Sequence, residues 1–280
     1  MNVFRTSPWP FKNFLRAHAA RENGASPHLT LEQYETLDPQ RCVRDGDMNV
    51  IYATPNVMTE WRVDTIFSKE PETIQWIAGF KPDEILVDIG ANIGLYTIWA
   101  AKTRGVRVCA FEPESQNYAL LYKNIVLNKL SKQVVAYCAA LSDETGYSRL
   151  HLSVFQAGRS NHSYGEEVDY QLEHRESEVS QGCIATTLDS LVAAGAVPMP
   201  DYLKIDVDGF EHKVVAGCAK ILADSHLRSV LIEINTNLEQ HRKIVADMQA
   251  LGFTYSEEQV ARALRTEGPF TGIGNYIFSR

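Results

Sequence analysis

Two groups of polar residues in this 280-residue chain are spaced for chemistry. The first lies in ILVDIGANIGLYT, residues 85–97. An apolar run meets Asp88, Gly90 and Gly94 flank Asn92, and an apolar stretch resumes at Leu95. A strand, a tight turn and a helix start in this order make a ligand loop: glycines permit the turn, and a helix start favours anionic groups. Glu112 closes the next apolar run. Its distance from Gly90 is close to the ~20 residues at which an acid accepts from ribose hydroxyls in dinucleotide sites. The second group lies in YLKIDVDGFEH, residues 202–212. Lys204 and Asp206 fall on one side of a strand, where burial is costly unless they pair or face a cleft. Asp208, Glu211 and His212 follow at a helix start, and Glu233 and Asn235 end the run VLIEIN.

The glycine turn discriminates between two cofactors. A dinucleotide loop needs G-x-G-x-x-G so that the backbone can reach a pyrophosphate. Asn92 and Leu95 stand at the second and third glycine positions, which disfavours NAD. S-adenosylmethionine has no phosphates. Its carboxylate suits loop amides and a helix start, and its ammonium suits Asp88, directly or through water. Asn92 can then donate to the ligand.

The second group allows two uses. A carboxylate or histidine can take the proton of an acceptor hydroxyl, worth about 10²–10⁴ in rate. Asp206 is the first candidate, with Lys204, Glu211 and Glu233 behind it. Alternatively, Asp206, Glu233 and Asn235 could hold a hard divalent ion, but no feature of the sequence demands one and no metal is expected. The plainer reading of Lys204 and Asp206 is an ion pair at a strand end. His162 is a further base candidate, with a solvated side chain as its plainer role.

These residues need elements to hold them. Strands are expected at Ile85–Ile89, Val106–Phe111, Val134–Cys138, Tyr202–Val207 and Val230–Ile234. Helices are expected at Leu95–Thr103, Ser115–Leu130, Phe210–Leu222 and Leu238–Leu251. In the second helix Tyr118, Leu121, Tyr122 and Ile125 share one face. Phe253–Tyr255 and Tyr276–Phe278 make a terminal pair. Short apolar strands alternating with amphipathic helices give an α/β fold, with a mostly parallel sheet covered on both faces. Ligands on such sheets sit at the carboxyl ends of the strands, where the strand order switches, and each polar residue singled out ends a strand.

Two stretches depart from this pattern. Residues 1–75 carry six prolines and read as an extension or cap to a domain spanning residues 76–280. Residues 155–181 are polar and without a period, between candidate strands Arg149–Val154 and Cys183–Thr186. A loop of this length is a lid, a substrate loop or disordered.

Composition excludes several classes. Net charge is −8 and apolar content 45%, which fits an ordinary core and disfavours a nucleic-acid partner. Five dispersed cysteines without a CxxC pair speak for reduced thiols and a cytoplasmic setting, against zinc or disulfides. No run is long enough for a transmembrane segment. Residues 1–21 hold four basic residues and no acid, without the apolar core of a signal peptide. They read as a docked or frayed terminus, or as a surface-attached helix. Self-association into a homo-oligomer is left open.

VDIGANIGLYT, FEPESQNYALLYKNIVLN, AALSDETG, TTLDSL and YLKIDVDGFEHKVVAG, in this order, resemble the FkbM family of S-adenosylmethionine-dependent methyltransferases. The match runs over roughly residues 70–235. The resemblance implies a doubly wound, Rossmann-like class I methyltransferase fold with a mostly parallel seven-stranded sheet. It also implies O-methylation of a sugar, polysaccharide or natural product. Carried over, Asp88, Gly90, Asn92 and Gly94 would line the methionine part, and Glu112 would hold the ribose. Ala140, Leu141 and Ser142 would lie near the adenine, and Asp206 would border the transfer cleft. Asp208 departs from the family's usual glutamate. Residues 1–70 and 155–181 lie outside the motifs, where the acceptor would be chosen. Rival readings are a nicotinamide-dependent oxidoreductase and a non-catalytic nucleoside-binding protein. A nucleic-acid amino-methyltransferase is disfavoured by DVDG in place of a proline-rich turn.

Overall fold

The computed structural model describes residues 29–280, so the basic segment 1–21 lies outside the described residues. The chain divides into two units, residues 1–39 and 40–280. In the first, α1 (Leu31–Thr36) starts at a capping box, in which Thr30 accepts from the Gln33 amide and the Gln33 side chain accepts from the Thr30 amide. The larger unit begins at Gln40, so residues 40–75 are built into it. There β1 (Gln40–Asp45) and β2 (Met48–Ala53) form an antiparallel hairpin, followed by α2 (Val57–Asp64) and α3 (Pro71–Ala78). Tyr52 is fully buried and its hydroxyl donates to the Leu95 carbonyl, which ties the hairpin to the glycine-turn helix.

Strand and helix then alternate: β3 (Ile85–Ile89), α4 (Leu95–Arg104), β4 (Arg107–Phe111), α5 (Ser115–Leu127) and β5 (Val134–Tyr137). A second, smaller sheet holds β6 (Ala140–Leu141), β7 (Gly146–Leu152), β8 (Ser163–Tyr164) and β9 (Val179–Thr186), in the order β6-β9-β7-β8. After α6 (Leu188–Ala193) come β10 (Tyr202–Ile205), α7 (Glu211–Ala216), α8 (Ala219–Ala223), β11 (Ser229–Asn235), α9 (Glu239–Ala250), α10 (Glu257–Ala263) and β12 (Ile273–Ser279).

The main sheet runs β12-β11-β10-β3-β4-β5, parallel except for β12. Alternate residues of one strand feed different cores: Leu86, Val108 and Ala110 pack on one face, and Val87, Ile89, Cys109 and Phe111 on the other. This is the two-faced burial that continuous apolar strands require. The strand order switches between β3 and β10, and the candidate acids end strands on both sides of that switch.

Several expectations need correction. The main sheet has six strands rather than seven. The remaining position is a single bridge, Thr254 with Ser279, because Ser256 already caps α10 by accepting from the Gln259 amide. The helix expected over Phe210–Leu222 is broken at Gly217 and Cys218. A Cβ on Gly217 would lie 2.0 Å from the Ser142 carbonyl oxygen, so the backbone turns there against the strand β6 exit. Tyr122 is exposed, and the buried face of α5 is Asn117, Leu120, Leu121, Asn124 and Ile125. Among the described residues no helix is long and apolar enough to cross a membrane, and all five cysteines are free.

Candidate active site

A cavity of about 690 Å³ opens at the carboxyl ends of β3, β4, β10 and β11. Gly90 and Asn92 come from the β3–α4 turn, Phe111 and Glu112 from the end of β4, and Ala140 and Leu141 from β6. Asp206 and Asp208 follow β10, and Glu233 lies two residues before the end of β11. Trp61 and Arg62 of α2, residues 158–162, Arg265 and Phe270 complete the wall. The volume lies within the ~300–1,000 Å³ of small-molecule sites.

The turn is held by its own hydrogen bonds. Gly90 and Ala91 amides both donate to the Phe111 carbonyl, at 3.0 Å. The Asn92 amide donates to Glu112 Oε2 (2.8 Å), the Ile93 amide to Asn92 Oδ1 (2.9 Å) and the Gly94 amide to the Ala91 carbonyl (2.8 Å). Five consecutive amides are therefore engaged, and the expectation that they would receive a carboxylate is not met. Gly90 is required for a close approach: at φ +80°, its Cβ would stand 1.8 Å from the Asp206 carbonyl oxygen. Asn92 sits at φ +52°, a left-handed conformation that asparagine tolerates, and its Nδ2 donates to the Arg159 carbonyl.

Asp88 is buried beneath the turn. Oδ2 accepts from Thr97 at 2.5 Å, while Oδ1 lies 3.8 Å from Lys204 and has no hydrogen-bond partner. It faces a small cavity of about 40 Å³, which shares Arg62, Lys69, Gly90, Asn92 and Asp206 with the large one. Burial raises its pKa. Glu112 accepts from the Asn92 and Glu114 amides, yet burial pushes it up to about 7. Two amide bonds leave lone pairs on both oxygens for further donors. Leu141 lines the cavity, whereas Ser142 turns away to bond Asp143.

The second group forms one electrostatic network. Lys204 donates to Asp206 at 2.9 Å. Burial alone would raise Asp206, but Lys204 and Lys69 outweigh it and hold the carboxyl low, and the same pairing holds Lys204 above its ordinary value. Glu233 is pushed up to about 8 by burial and by Asp206, although Arg265 stands 3.3 Å away. Glu211 is fully buried: its oxygens accept from the Val207 and Gly209 amides, and burial raises its pKa strongly. It holds the DVDG turn and lies outside the large cavity. Asp206, Glu211 and Glu233 bring one oxygen each within 4.8 Å of one another. Asn235 is engaged elsewhere: its Oδ1 accepts from Asn237 and its Nδ2 donates to the Tyr170 carbonyl. Asp208, at φ +57°, accepts from the Asn161 amide and is pushed up to about 6 by burial.

His162 lines the cavity, but Nδ1 accepts from the Ser153 amide and burial pushes its pKa down to about 4. It is neutral at pH 7, and by inference from that bond the hydrogen sits on Nε2, which makes it a donor rather than a base. His212 lies outside the cavity, with its pKa lowered by burial.

The sequence reading missed the residues that join the polar loop to the turn. Asn117 accepts from the Gly158 amide and donates to the Arg159 carbonyl, while Asn124 links the Ala53 amide to the Ile93 carbonyl. Buried asparagines on a helix face expected to be apolar were the available signal. Arg62 Nε donates to the Gly158 carbonyl at 2.5 Å. The segment at 157–161 is thus a fixed wall.

The sequence model of the Methyltransferase FkbM domain matches residues 88–255, from the acid of β3 to beyond β11. Hexuronic acid methyltransferase AglP of Haloferax volcanii is 25% identical over 190 residues, covering 67% of this chain and 71% of AglP. AMB antimetabolite synthetase AmbE of Pseudomonas aeruginosa is 28% identical over 210 residues; the match covers 65% of this chain and only 10% of AmbE. Among solved structures, precorrin-6y C5,15-methyltransferase from Geobacter metallireducens aligns with a TM-score of 0.45 at 14% identity, over 82% of this chain and 93% of that one.

Proposed function

The chain belongs to the FkbM methyltransferase family, with S-adenosylmethionine as its cofactor, and from that premise we propose that it methylates a hydroxyl oxygen on a saccharide or natural-product acceptor. The observation that carries the reading is Asp206. It is an ionised carboxylate at the strand-order switch, lining the cavity, with its charge held by Lys204 and a higher-pKa acid, Glu233, beside it.

The cavity's groups suit the cofactor. Glu112 has capacity for the two ribose hydroxyls. Phe111, Ala140 and Leu141 offer an apolar wall to the adenine, and the orphaned Asp88 Oδ1 is an acceptor for the ammonium. Gly90, Asn92 and Gly94 shape the turn, and Ser142 supports the adenine wall from behind. When bound, S-adenosylmethionine supplies a methyl group already activated by its sulfonium, so the protein's task is alignment. Asp206, charged at neutral pH, accepts a hydrogen bond from the acceptor hydroxyl and orients its oxygen. Glu233, with a pKa of about 8, holds a proton at neutral pH, so it takes the acceptor's proton only in its ionised fraction, which grows as pH rises toward 8. Lys204 keeps Asp206 ionised, and Glu211 holds the backbone turn that aims it. Trp61 and Phe270 line the cavity wall and give a sugar aromatic surface to pack against.

AglP is named for a hexuronic acid, which makes acidic and neutral saccharides the first acceptors to try. Purified protein would be incubated with methyl-labelled S-adenosylmethionine and each acceptor, and the product treated with mild alkali. An alkali-stable methyl ether is expected. A label released by alkali would mean a methyl ester on a carboxylate, and a label on nitrogen would overturn oxygen as the acceptor atom.

A further inference from the structure

With the turn amides engaged, the methionine carboxylate of the cofactor needs a counter-charge from elsewhere. All five amides from Gly90 to Gly94 donate within the protein. Asp88 and Asp206, which line the small cavity beside the turn, are acids, and Lys204 is committed to them. Two cations remain in the wall shared by the two cavities beside Gly90 and Asn92: Lys69 and Arg62. Lys69 is paired with Glu70 at 2.5 Å. Arg62 has no carboxylate within ion-pair distance among the described residues.

Arg62 is also oriented. Its Nε donates to the Gly158 carbonyl, which fixes the guanidinium plane and leaves the terminal nitrogens without a carboxylate partner. Gly158 in turn is locked by Asn117 Oδ1. A guanidinium held at Nε, half-buried and next to the glycine turn, is preorganised for a two-toothed bond to a carboxylate.

We propose that Arg62 of α2 binds the carboxylate of the cofactor's methionine part, so that the segment preceding the methyltransferase motifs completes the cofactor site. This rests on the methyltransferase reading above. With the Asp88 acceptor on the ammonium, Arg62 provides for the other end of the zwitterion. The inference also gives residues 57–64 a cofactor role, where the sequence had assigned the N-terminal region to acceptor choice.

The test compares two ligands by calorimetric titration of the full chain. S-adenosylhomocysteine carries the carboxylate, and 5′-methylthioadenosine keeps the nucleoside and thioether but lacks the amino-acid end. Arg62→Gln is expected to weaken S-adenosylhomocysteine about 10–100-fold, the range of one charge-assisted contact. Binding of 5′-methylthioadenosine should stay within about twofold, which also shows that the variant is folded. Arg62→Lys should recover part of the loss. Equal weakening of both ligands would overturn the proposal, since Arg62 would then act only by holding Gly158. Unchanged S-adenosylhomocysteine affinity would overturn it too, and a raised acceptor KM in that case would move Arg62 to the acceptor side. If the unaltered protein bound neither ligand, the methyltransferase reading itself would fail.

Discussion

Glu112 and Asp206 end parallel strands of one sheet and line one cavity, yet their surroundings are opposite in kind. Glu112 accepts from two backbone amides close in sequence, and burial lifts it to about 7. Asp206 is bonded to a lysine side chain and held low by Lys204 and Lys69. The first acid is fixed by short-range backbone geometry, which suits a binding group whose position must not change. The second is fixed by charges, which suits a group whose protonation state must not change. Under the proposed function, the difference separates a cofactor half of the cavity from a reacting half.

The sharpest way to break that comparison is Asp206→Asn. We expect kcat to fall about 10²–10⁴-fold while S-adenosylhomocysteine affinity stays within about twofold. Parallel steady-state kinetics and titration would check it; retained activity would mean that Asp206 only balances Lys204. A smaller effect is expected at the seam between the halves. Asn117→Ala leaves the Gly158 amide without its acceptor and should cost about 1–3 kcal/mol in a urea titration. A neutral result would show that water or relaxation satisfies the loop, and that the two halves are less tightly joined.

The smallest effect is in the pH dependence of the ligand-free protein. Glu112 and Glu233 have folded pKa values of about 7 and about 8, above the ordinary 4.5 of a glutamate. The folded state therefore holds more protons than the unfolded one between those limits, and stability falls as pH rises through them. His162 and His241 are both pushed down to about 4, so below pH ~6.5 they oppose this trend by charging in the unfolded chain. From about pH 6.5 to 8.5 the acids stand alone. There the unfolding free energy should decline by on the order of 1 kcal/mol per group, which a fall in melting temperature would report. A flat or rising curve would show that Glu112 and Glu233 are not buried as acids.

The legible parts of the site share one property: their determinants are close in sequence. The β3–turn–α4 unit needs only an apolar run, two glycines and a helix start, and the structure places β3 at Ile85–Ile89 as expected. Glu112 was visible because it ends the adjacent strand. The element boundaries that failed did so through distant partners. The helix over 210–222 is interrupted at Gly217, a position where the Ser142 carbonyl leaves no room for a side chain, and Tyr122 is exposed because Asn117 and Asn124 occupy the inner face of α5. The polar loop lacked periodicity because its order comes from Asn92, Asn117 and Arg62, on three separate elements.

The amino-acid sequence alone determined the strand–turn–helix alternation, the two acid groups at strand ends and the family, since period, glycine spacing and motif order act within a few residues. Tertiary structure alone decided which of those groups meet. It engaged every turn amide, buried Asp88 against Lys204, turned Ser142 away from the cavity, and carried Arg62 from the N-terminal region to the glycine turn. Hydrogen bonds and charges are satisfied in space, so their partners are fixed only once the sheet has brought distant strand ends together.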